Sequence, residues 1–396
     1  MIKTVSDFNY KDQKVLIRVD FNVPLDENGK VTDATRIKRA KATIIKVLED
    51  GGAVILMSHL GRPKGVGAKF SLKQTLETIS EIIGVMPKFA TDCIGEEARE
   101  KAAKLAMGEI LLLENLRFHP EEKAGDVEFA KKLASLGNYY INDAFGTAHR
   151  AHASTTVIAQ FFEGKRAAGY LLASEIKAVT QVLEQGKKPI LAVLGGAKIS
   201  SKIGVVKNLI DRVDNIIIGG GMAYTFIKAQ GGKIGDSICE DDQLDLALEI
   251  LAEAKEKNTK IYLPVDTVIA SSFSNEVPTQ IVAIDNIPDG WMGLDIGPKT
   301  QVGFSYVALA NQTILWNGPM GVFEMTHFRN GTRELGNAIA DATANGAFSL
   351  VGGGDSVAAV ELFGLADEVS YISTGGGALL EMLEGKTLPG IAALEE

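Results

Sequence analysis

Residues 348–360 read Phe-Ser-Leu-Val-Gly-Gly-Gly-Asp-Ser-Val-Ala-Ala-Val, and this stretch guides the interpretation of the whole chain. Residues 348–351 suit a buried strand, and an apolar pattern with helical spacing begins at Ser356. Free backbone N–H groups at a helix start attract anions, and glycines let a bulky anion approach that backbone. The stretch therefore predicts a strand-to-helix turn that seats a phosphate.

Asp355 adds a second element to this prediction. A carboxylate beside bound phosphate would repel it unless a cation lay between them, and Mg²⁺ is the usual cation. A nucleotide bound with Mg²⁺ at Asp355 is one interpretation. The other is a tight turn in which Asp355 only caps the helix, and on this stretch alone the two are equally weighted.

Length and charge restrict the class of protein. A chain of 396 residues exceeds one comfortable core and predicts two domains, or three. A net charge of -9 disfavours nucleic acid and anionic membranes as partners. Cys93 and Cys239 lie far apart without CxxC spacing, so neither a disulfide framework nor a zinc site is suggested. Without an apolar leader or a run of transmembrane length, we expect a cytoplasmic protein.

The first half of the chain repeats one pattern, in which a buried strand ends in polar residues and a helix follows. The strand that starts at Val15 ends in Arg18, Asp20 and Asn22, and a helix is predicted over residues 35–50 with its stop at Gly51-Gly52. Alternating strands and helices favour a mostly parallel sheet, which places ligands at the carboxyl ends of its strands. Three further strands precede polar segments at residues 59–63, 115–119 and 144–152.

Arginines concentrate in this first half, where eight of the eleven precede residue 170. A solvated ion pair is the better explanation for any single one of them. Their recurrence at one edge of a sheet favours a site for a small substrate with more than one anionic group, because Arg binds phosphate and carboxylate bidentately. The arginines concerned are Arg18, Arg62, Arg117 and Arg150, near strand ends, and Arg36, where the first helix begins.

The second half starts after an amphipathic helix predicted over residues 169–186, where we place the domain boundary. Strand-glycine-helix transitions then recur at residues 190–202, 215–224 and 368–383. Lys198 and Lys202 are predicted on one face of the first helical turns, a placement that the helix dipole disfavours unless an anion is bound. Glu324 could accept a hydrogen bond from a ribose hydroxyl. Its presence is explained equally well by the preference for an acidic residue at the start of a helix.

The sequence lacks two common nucleotide-binding motifs. It contains neither GxxxxGK[ST] nor a helix-opening GxGxxG, which disfavours a P-loop enzyme and a dinucleotide dehydrogenase. His149 and His152 are better suited to anion binding than to a metal, because no carboxylate or cysteine ligand pattern accompanies them. Phosphoryl transfer is favoured, since its catalysis is mostly positioning and charge neutralisation. A non-catalytic nucleotide sensor and a hydride-transferring dehydrogenase are the weaker alternatives.

The residues also resemble the phosphoglycerate kinase family along the whole chain. The similar motifs of the first half are residues 18–24, 58–63, 114–118 and 143–152, and those of the second half are 195–202, 219–222, 316–324 and 352–356. The resemblance implies an α/β fold of two domains, each with a mostly parallel, doubly wound (Rossmann-like) sheet flanked by helices. It implies domains at residues 1–170 and 188–375, a hinge helix at 171–187, and a C-terminal helix and tail at 376–396 that dock on the first domain.

The family's reaction, by this resemblance, is ATP + 3-phosphoglycerate = ADP + 1,3-bisphosphoglycerate, by direct in-line transfer in a closed interdomain cleft. A carboxylate acceptor is ionised at neutral pH, so the reaction needs no general base. The resemblance implies Mg²⁺ as cofactor at Asp355, small-molecule partners only, a monomer, and Arg36, Lys198 and Lys202 as catalytic residues. The implied substrate residues are Arg18, Asp20, Phe21, Asn22, Arg36, His59, Leu60, Gly61, Arg62, Arg117 and Arg150. The implied nucleotide residues are Gly196, Lys198, Lys202, Gly219, Gly220, Gly293, Asn317, Pro319, Glu324, Gly353, Gly354, Asp355 and Ser356.

Overall fold

A computed structural model describes residues 2–395 of the chain. The chain forms two compact units, the first of residues 1–176 and 387–396 and the second of residues 177–386. Each unit is built on one six-stranded parallel sheet flanked by helices. This architecture confirms the predicted α/β fold class.

The sheet of the first unit has the strand order β3-β4-β2-β1-β5-β6. Its strands are β1 (Lys14–Val19), β2 (Ala53–Met57), β3 (Lys88–Phe89), β4 (Ile110–Leu112), β5 (Tyr139–Asp143) and β6 (Arg166–Ala168). The helices of this unit are α1 (Thr35–Glu49), α2 (Leu76–Ile83), α3 (Glu96–Ala103), α4 (Pro120–Ala124) and α5 (Val127–Ala134).

β1 and α1 show how the sequence produces this unit. Val15, Leu16 and Ile17 are wholly buried, and burial of such a side chain stabilises by about 1.5–3 kcal/mol. α1 buries the stripe Ile37, Ala40, Ile44 and Val47, which has the period of a helix. As predicted, α1 stops before Gly51, whose positive φ of 84° reverses the chain.

The large sheet of the second unit has the order β10-β8-β7-β15-β16-β17. The strands of this unit are β7 (Ile190–Leu194), β8 (Asn215–Ile218), β9 (Lys233–Ile234), β10 (Lys260–Tyr262), β11 (Asp266–Ala270), β12 (Thr279–Ala283), β13 (Asn286–Ile287), β14 (Met292–Ile296), β15 (Thr313–Asn317), β16 (Phe348–Val351) and β17 (Tyr371–Ile372). Its helices are α7 (Ile203–Ile210), α8 (Met222–Ala229), α9 (Leu244–Glu256), α10 (Pro298–Leu309), α11 (Asn330–Ala344), α12 (Gly354–Leu362) and α13 (Gly377–Leu383).

Two small sheets supplement this architecture. β12, β11 and β14 form an antiparallel sheet, and β13 pairs with β9 in parallel. The alternating pattern of the sequence did not indicate the antiparallel sheet. It matters for function because β14 carries Gly293.

The predicted connecting helix is α6 (Tyr170–Leu183), and the division between the units falls inside it, at residues 176 and 177. The last helix, α14 (Pro389–Ala392), belongs to the first unit, where the Gly390 N–H donates to the Ala148 carbonyl at 2.8 Å. Residues 376–386 belong instead to the second unit, and the Asn208 side chain donates to the Leu383 carbonyl at 2.7 Å. The hinge role of α6 stays a prediction. None of the helices in the described residues 2–395 is both long and apolar enough to cross a membrane.

Candidate functional site

The carboxyl edge of the first sheet gathers the polar segments that the sequence singled out. β1 pairs with both β2 and β5, so that Arg18 lies opposite Met57 and opposite Asn142. The chain leaves β1 towards β2 and later returns on the other side of β1 as β5. In a doubly wound sheet this change of direction marks the ligand crevice.

The five arginines predicted from the sequence, Arg18, Arg36, Arg62, Arg117 and Arg150, are called the arginine edge below. Arg18 is wholly buried, and its guanidinium donates to the Val19 carbonyl and lies 3.3 Å from His59 Nδ1. Arg36 forms an ion pair with Asp20. Arg117 donates to the Gly61 carbonyl at 2.8 Å, and its buried Nε has no partner in the described structure.

Arg62 and Arg150 differ from the other members of the arginine edge because both side chains are exposed. Within residues 2–395, neither guanidinium takes part in a hydrogen bond or an ion pair. A guanidinium presents five N–H donors in a rigid fork that matches phosphate and carboxylate. These two forks are therefore available for an anionic ligand.

The positive charge of this edge comes from the arginines, because His59 and His152 are neutral. Burial, with Arg18 and Arg117 nearby, holds the pKa of His59 well below its usual value. Burial and the same arginines lower the pKa of His152 to about 4. Both rings are neutral at pH 7, so His59 Nδ1 can accept a hydrogen bond from Arg18.

Two predicted substrate residues cannot contribute their side chains. Phe21 and Leu60 pack into the hydrophobic core of the first unit. Their backbones remain part of the edge, since the Phe21 N–H donates to Ser58 Oγ at 2.8 Å and the Leu60 carbonyl accepts from Asn115 at 2.7 Å. Asn22 Oδ1 accepts the Gly61 N–H at 2.7 Å and so fixes the loop after β2. A cavity of about 990 Å³ opens beside this loop and is lined by Asn22, Leu60 and Gly61, but by none of the arginines.

In the second unit, glycine-rich segments follow β7, β8, β15 and β16 at the carboxyl edge of the sheet. These segments, residues 195–197, 219–221, 318–321 and 352–354, are called the glycine turns below. Gly220 has a φ of +66°, and a Cβ there would lie 2.6 Å from the Gly196 nitrogen. Gly353 has a φ of +95°, and its added Cβ would lie 2.8 Å from Asn317 Nδ2. Both positions require glycine, because a side chain would meet backbone or a fixed amide.

The side chains of Lys202, Asn317 and Ser356 hold the glycine turns together. Lys202 Nζ donates to the Asn317 carbonyl and to Asn317 Oδ1, each at 2.6 Å, and Asn317 Nδ2 donates to the Gly352 carbonyl at 2.7 Å. The Gly318 N–H donates to Ser356 Oγ at 2.6 Å. Asn317 and Ser356, both predicted to bind nucleotide, are buried and bond to the turns themselves. Burial lowers the pKa of Lys202 to about 8, against the opposing effect of Asp355.

The predicted helical placement of Lys198 and Lys202 is wrong. α7 begins at Ile203, so Lys202 is its N-cap residue and Lys198 lies exposed in the preceding turn. Residues 200–202 form a turn instead, in which the Lys202 N–H donates to the Ile199 carbonyl at 2.8 Å and the Ser200 N–H donates to Glu240 Oε2 at 3.0 Å. Asp355 is also not a helix cap: α12 begins at Gly354, and its N-cap, Gly353, has no side-chain cap. Asp355 lies exposed in the first turn of that helix.

A cavity of about 600 Å³ opens beside the glycine turns, within the size range of small-molecule sites. Six predicted nucleotide residues line it: Gly196, Gly220, Gly293, Pro319, Glu324 and Asp355. Its apolar walls include Ile238, Met292, Leu294, Val322 and Phe323. Lys198, Lys202, Gly219, Asn317, Gly353, Gly354 and Ser356 do not line it, and most belong to the segments beside it. A largely apolar cavity with three carboxylates, those of Asp236, Glu324 and Asp355, and adjacent backbone N–H groups suits a base, a sugar and a phosphate chain.

Comparison with known proteins shows to which family the chain belongs. A family model described as phosphoglycerate kinase matches residues 5–386. The chain belongs to the phosphoglycerate kinase family. It is 54% identical to the phosphoglycerate kinase of Porphyromonas gingivalis, over 99% of this chain and 100% of that one. It is 50% identical to the cytosolic phosphoglycerate kinase of Triticum aestivum, over 100% of this chain and 98% of the relative.

A solved phosphoglycerate kinase from Coxiella burnetii superposes with a TM-score of 0.93 at 42% identity, covering 100% of this chain and 99% of that one. The resemblance in the motifs is thus confirmed over the whole length. As a member of this family of glycolytic kinases, the chain is an enzyme that transfers a phosphoryl group between ATP and 3-phosphoglycerate. Neither alternative from the sequence, the nucleotide sensor or the dehydrogenase, fits a phosphoglycerate kinase.

Motif reasoning missed residues that lie behind or between the motifs. Ile238, Phe273 and Met292 line the nucleotide-sized cavity but follow no glycine turn in the sequence. Glu122 and Ser154, both buried, lie behind Arg18 and carry no local pattern either. A buried carboxylate next to an arginine-rich edge becomes noticeable only once the fold brings the two together.

Proposed function

We propose that the arginine edge binds 3-phosphoglycerate and the glycine turns bind ATP or ADP, with direct in-line transfer of the phosphoryl group between the two ligands. The observation that carries this assignment is the contrast in available groups. The first unit presents the exposed guanidinium forks of Arg62 and Arg150, which have no partner among residues 2–395, where a small dianion or trianion would bind. The second unit presents an apolar cavity bordered by glycine backbone, which suits a nucleotide.

The chemistry requires little from the protein besides position and charge. The acceptor carboxylate is already ionised, so the neutral state of His59 and His152 creates no difficulty. We assign the stabilisation of charge on the transferring group to Arg36, Lys198 and Lys202. Arg18, Asp20, Asn22, His59, Gly61, Arg62, Arg117 and Arg150 orient 3-phosphoglycerate, with backbone of Phe21 and Leu60.

The residues around the cavity also fit a magnesium ion. Mg²⁺ is bound by one or two carboxylates together with substrate phosphates, and Asp355 is an exposed carboxylate of the cavity lining. When bound, the ion would neutralise phosphate charge during transfer. Glu324, in the same lining, suits a hydroxyl of the ribose.

Because the proposed ligand sites belong to different units, transfer requires that the units bring the two ligands together. We assign the hinge to residues 171–187, the segment around α6, and expect a monomer in the cytoplasm. A relative named cytosolic supports the location. Small-angle scattering tests closure: the radius of gyration should fall when both ligands are present, and an unchanged value would contradict the hinge.

A coupled assay of the purified chain with ATP, Mg²⁺ and 3-phosphoglycerate tests the function. We expect ATP-dependent formation of 1,3-bisphosphoglycerate that needs all three components. Turnover without 3-phosphoglycerate, or no turnover with all three, would overturn the proposal. An Arg62→Ala variant in the same assay reports whether the arginine edge is the site of 3-phosphoglycerate.

A further inference from the structure

Behind the arginine edge, a buried carboxylate and a buried hydroxyl contact Arg18 from the side of the protein interior. Glu122 lies on the short helix α4 and is 1% exposed, and Ser154, in the segment after β5, is wholly buried. Ser154 Oγ donates to Glu122 Oε1 at 2.5 Å, and the Ser154 N–H donates to Glu122 Oε2 at 3.0 Å. Arg18 Nε in turn donates to Ser154 Oγ at 2.9 Å. The three groups form one chain of hydrogen bonds.

We infer that Glu122 and Ser154 are positioning residues, which fix the guanidinium of Arg18 and, through it, the His59 ring at the arginine edge that is proposed to bind 3-phosphoglycerate. The inference rests on the proposed function, in which Arg18 belongs to the substrate site. Neither residue touches the ligand in this account; both act through Arg18.

The direction of the hydrogen bonds supports this role. A serine hydroxyl has one proton and can point it at any acceptor. Both Glu122 oxygens accept from Ser154, so the hydroxyl proton points at the carboxylate and a lone pair is left facing Arg18 Nε. The carboxylate thereby sets the state of a hydroxyl that would otherwise be ambiguous.

The remaining contacts of Arg18 complete the constraint. One terminal nitrogen donates to the Val19 carbonyl, and the other lies 3.3 Å from His59 Nδ1. The guanidinium is therefore held on three sides, two of them by groups at the arginine edge and the third by Ser154. Loss of the third contact leaves the planar fork free to turn, and the His59 ring at the arginine edge then loses the fixed position of its partner.

Glu122 also has an electrostatic effect that exposed carboxylates lack. Arg18 is a charge without exposure to water, and Glu122 is a buried countercharge. Burial raises the pKa of Glu122, despite the opposing charge of Arg18 and the hydrogen bonds from Ser154. Keeping a carboxylate at such a position costs stability unless its partners are in place.

A purely structural role is the alternative, because Glu122 also fastens the segment after β5 to α4. The Ala153 N–H donates to the Glu122 carbonyl at 2.9 Å, and Tyr140 Oη donates to the Ser154 carbonyl at 2.8 Å. A fastening role lowers stability, and any effect on substrate binding would be independent of Arg18. A positioning role produces an effect that disappears when Arg18 is absent.

The test is a double-mutant cycle on the full chain, with Glu122→Gln, Ser154→Ala, Arg18→Ala and the two combined variants. Glu121→Gln is the matched control, because Glu121 is the exposed neighbour on the same helix. The measurements are KM and kcat in the coupled assay, Kd for 3-phosphoglycerate alone by calorimetry, and Tm. Ser154→Ala keeps the test falsifiable if Glu122→Gln does not fold.

We expect Glu122→Gln and Ser154→Ala to raise the KM and Kd for 3-phosphoglycerate on the order of 10-fold, as for other partners that orient a binding group. The KM for ATP should stay at the parent value, and Glu121→Gln should behave as the parent. In the Arg18→Ala background, neither substitution should weaken binding further.

Three results overturn the inference. The first is a parent-like KM and Kd in Ser154→Ala while Arg18→Ala weakens binding, in which case the proposed function stands and only the positioning role fails. The second is an equal effect of Glu122→Gln with and without Arg18. The third is a parent-like Kd in Arg18→Ala itself, in which case the substrate role proposed for Arg18 fails together with the positioning role.

Discussion

The arginine edge and the glycine turns both lie at the carboxyl edges of their sheets, but the first consists of charged side chains and the second of backbone. The arginine edge depends on long charged side chains, and partners such as the half-buried Asp20 and the buried His59 hold some of them. The glycine turns depend on backbone. A side chain at Gly220 would meet the backbone of Gly196 and Pro319, so no residue larger than glycine fits there. The first site should therefore tolerate changes of shape better than changes of charge, and the second should do the reverse.

The largest effect is expected at Gly220. Gly220→Ala places a Cβ 2.6 Å from the Gly196 nitrogen at a positive φ, so the turns must shift. We expect a fall on the order of 10²-fold in kcat/KM for ATP, as for a small misplacement of a binding group, with a loss of about 1–3 kcal/mol in unfolding free energy. Steady-state kinetics and urea unfolding measure both quantities.

Gly303→Ala is the control, because Gly303 lies exposed within α10 and a Cβ there meets nothing within 4 Å. It should be neutral or slightly stabilising. If Gly220→Ala kept the parent's KM for ATP, the glycine turns would not be a nucleotide site.

The next effect concerns Asp355, the carboxylate beside the glycine turns that is proposed to hold Mg²⁺. Asp355→Asn keeps the shape of the side chain but removes the charge that would hold Mg²⁺ among phosphate oxygens. We expect the Mg²⁺ concentration needed for half-maximal rate to rise on the order of 10-fold. A Mg²⁺ titration of the rate measures it, with the exposed Asp367→Asn as control. Superimposable titration curves for parent and Asp355→Asn would make Asp355 a turn residue only.

The smallest effect is expected in the free energy of unfolding and comes from the titration of Lys202. Its pKa is about 8 in the folded protein and 10.5 as the ordinary value, so between these pH values the unfolded chain binds a proton that the folded chain lacks. Stability relative to Lys202→Met should then rise with pH in this window, by on the order of 2 kcal/mol. Urea unfolding across the window measures it, with the exposed Lys198→Met as control. A constant difference between parent and Lys202→Met would show that burial does not disfavour the charged lysine.

The sequence predicted those site residues that lie next to the strands positioning them, and missed those held by contacts between distant segments. The Gly352–Asp355 turn and the arginines after each strand are adjacent to the strands that position them, so pattern reasoning located them. The start of α7 was predicted wrongly: residues 200–202 form a turn, and Ser200 bonds to Glu240, forty residues away, a contact that no local pattern encodes. Ser154 and Glu122 were missed because their link to Arg18 joins residues 136 positions apart, which no local pattern encodes.

Steady-state kinetics of Arg36→Ala, Lys198→Ala and Arg62→Ala separates groups that act on the transferring phosphoryl group from groups that only bind substrate. Arg36 and Lys198 are proposed to stabilise charge on the transferring phosphoryl group, whereas Arg62 is proposed to hold 3-phosphoglycerate. Arg36→Ala and Lys198→Ala should lose kcat on the order of 10²-fold or more, as when one preorganised oxyanion donor is removed. Arg62→Ala should chiefly raise the KM for 3-phosphoglycerate. An Arg36→Ala enzyme with a raised KM and an intact kcat would contradict the account, because Arg36 would then be a substrate clamp and not a catalytic group.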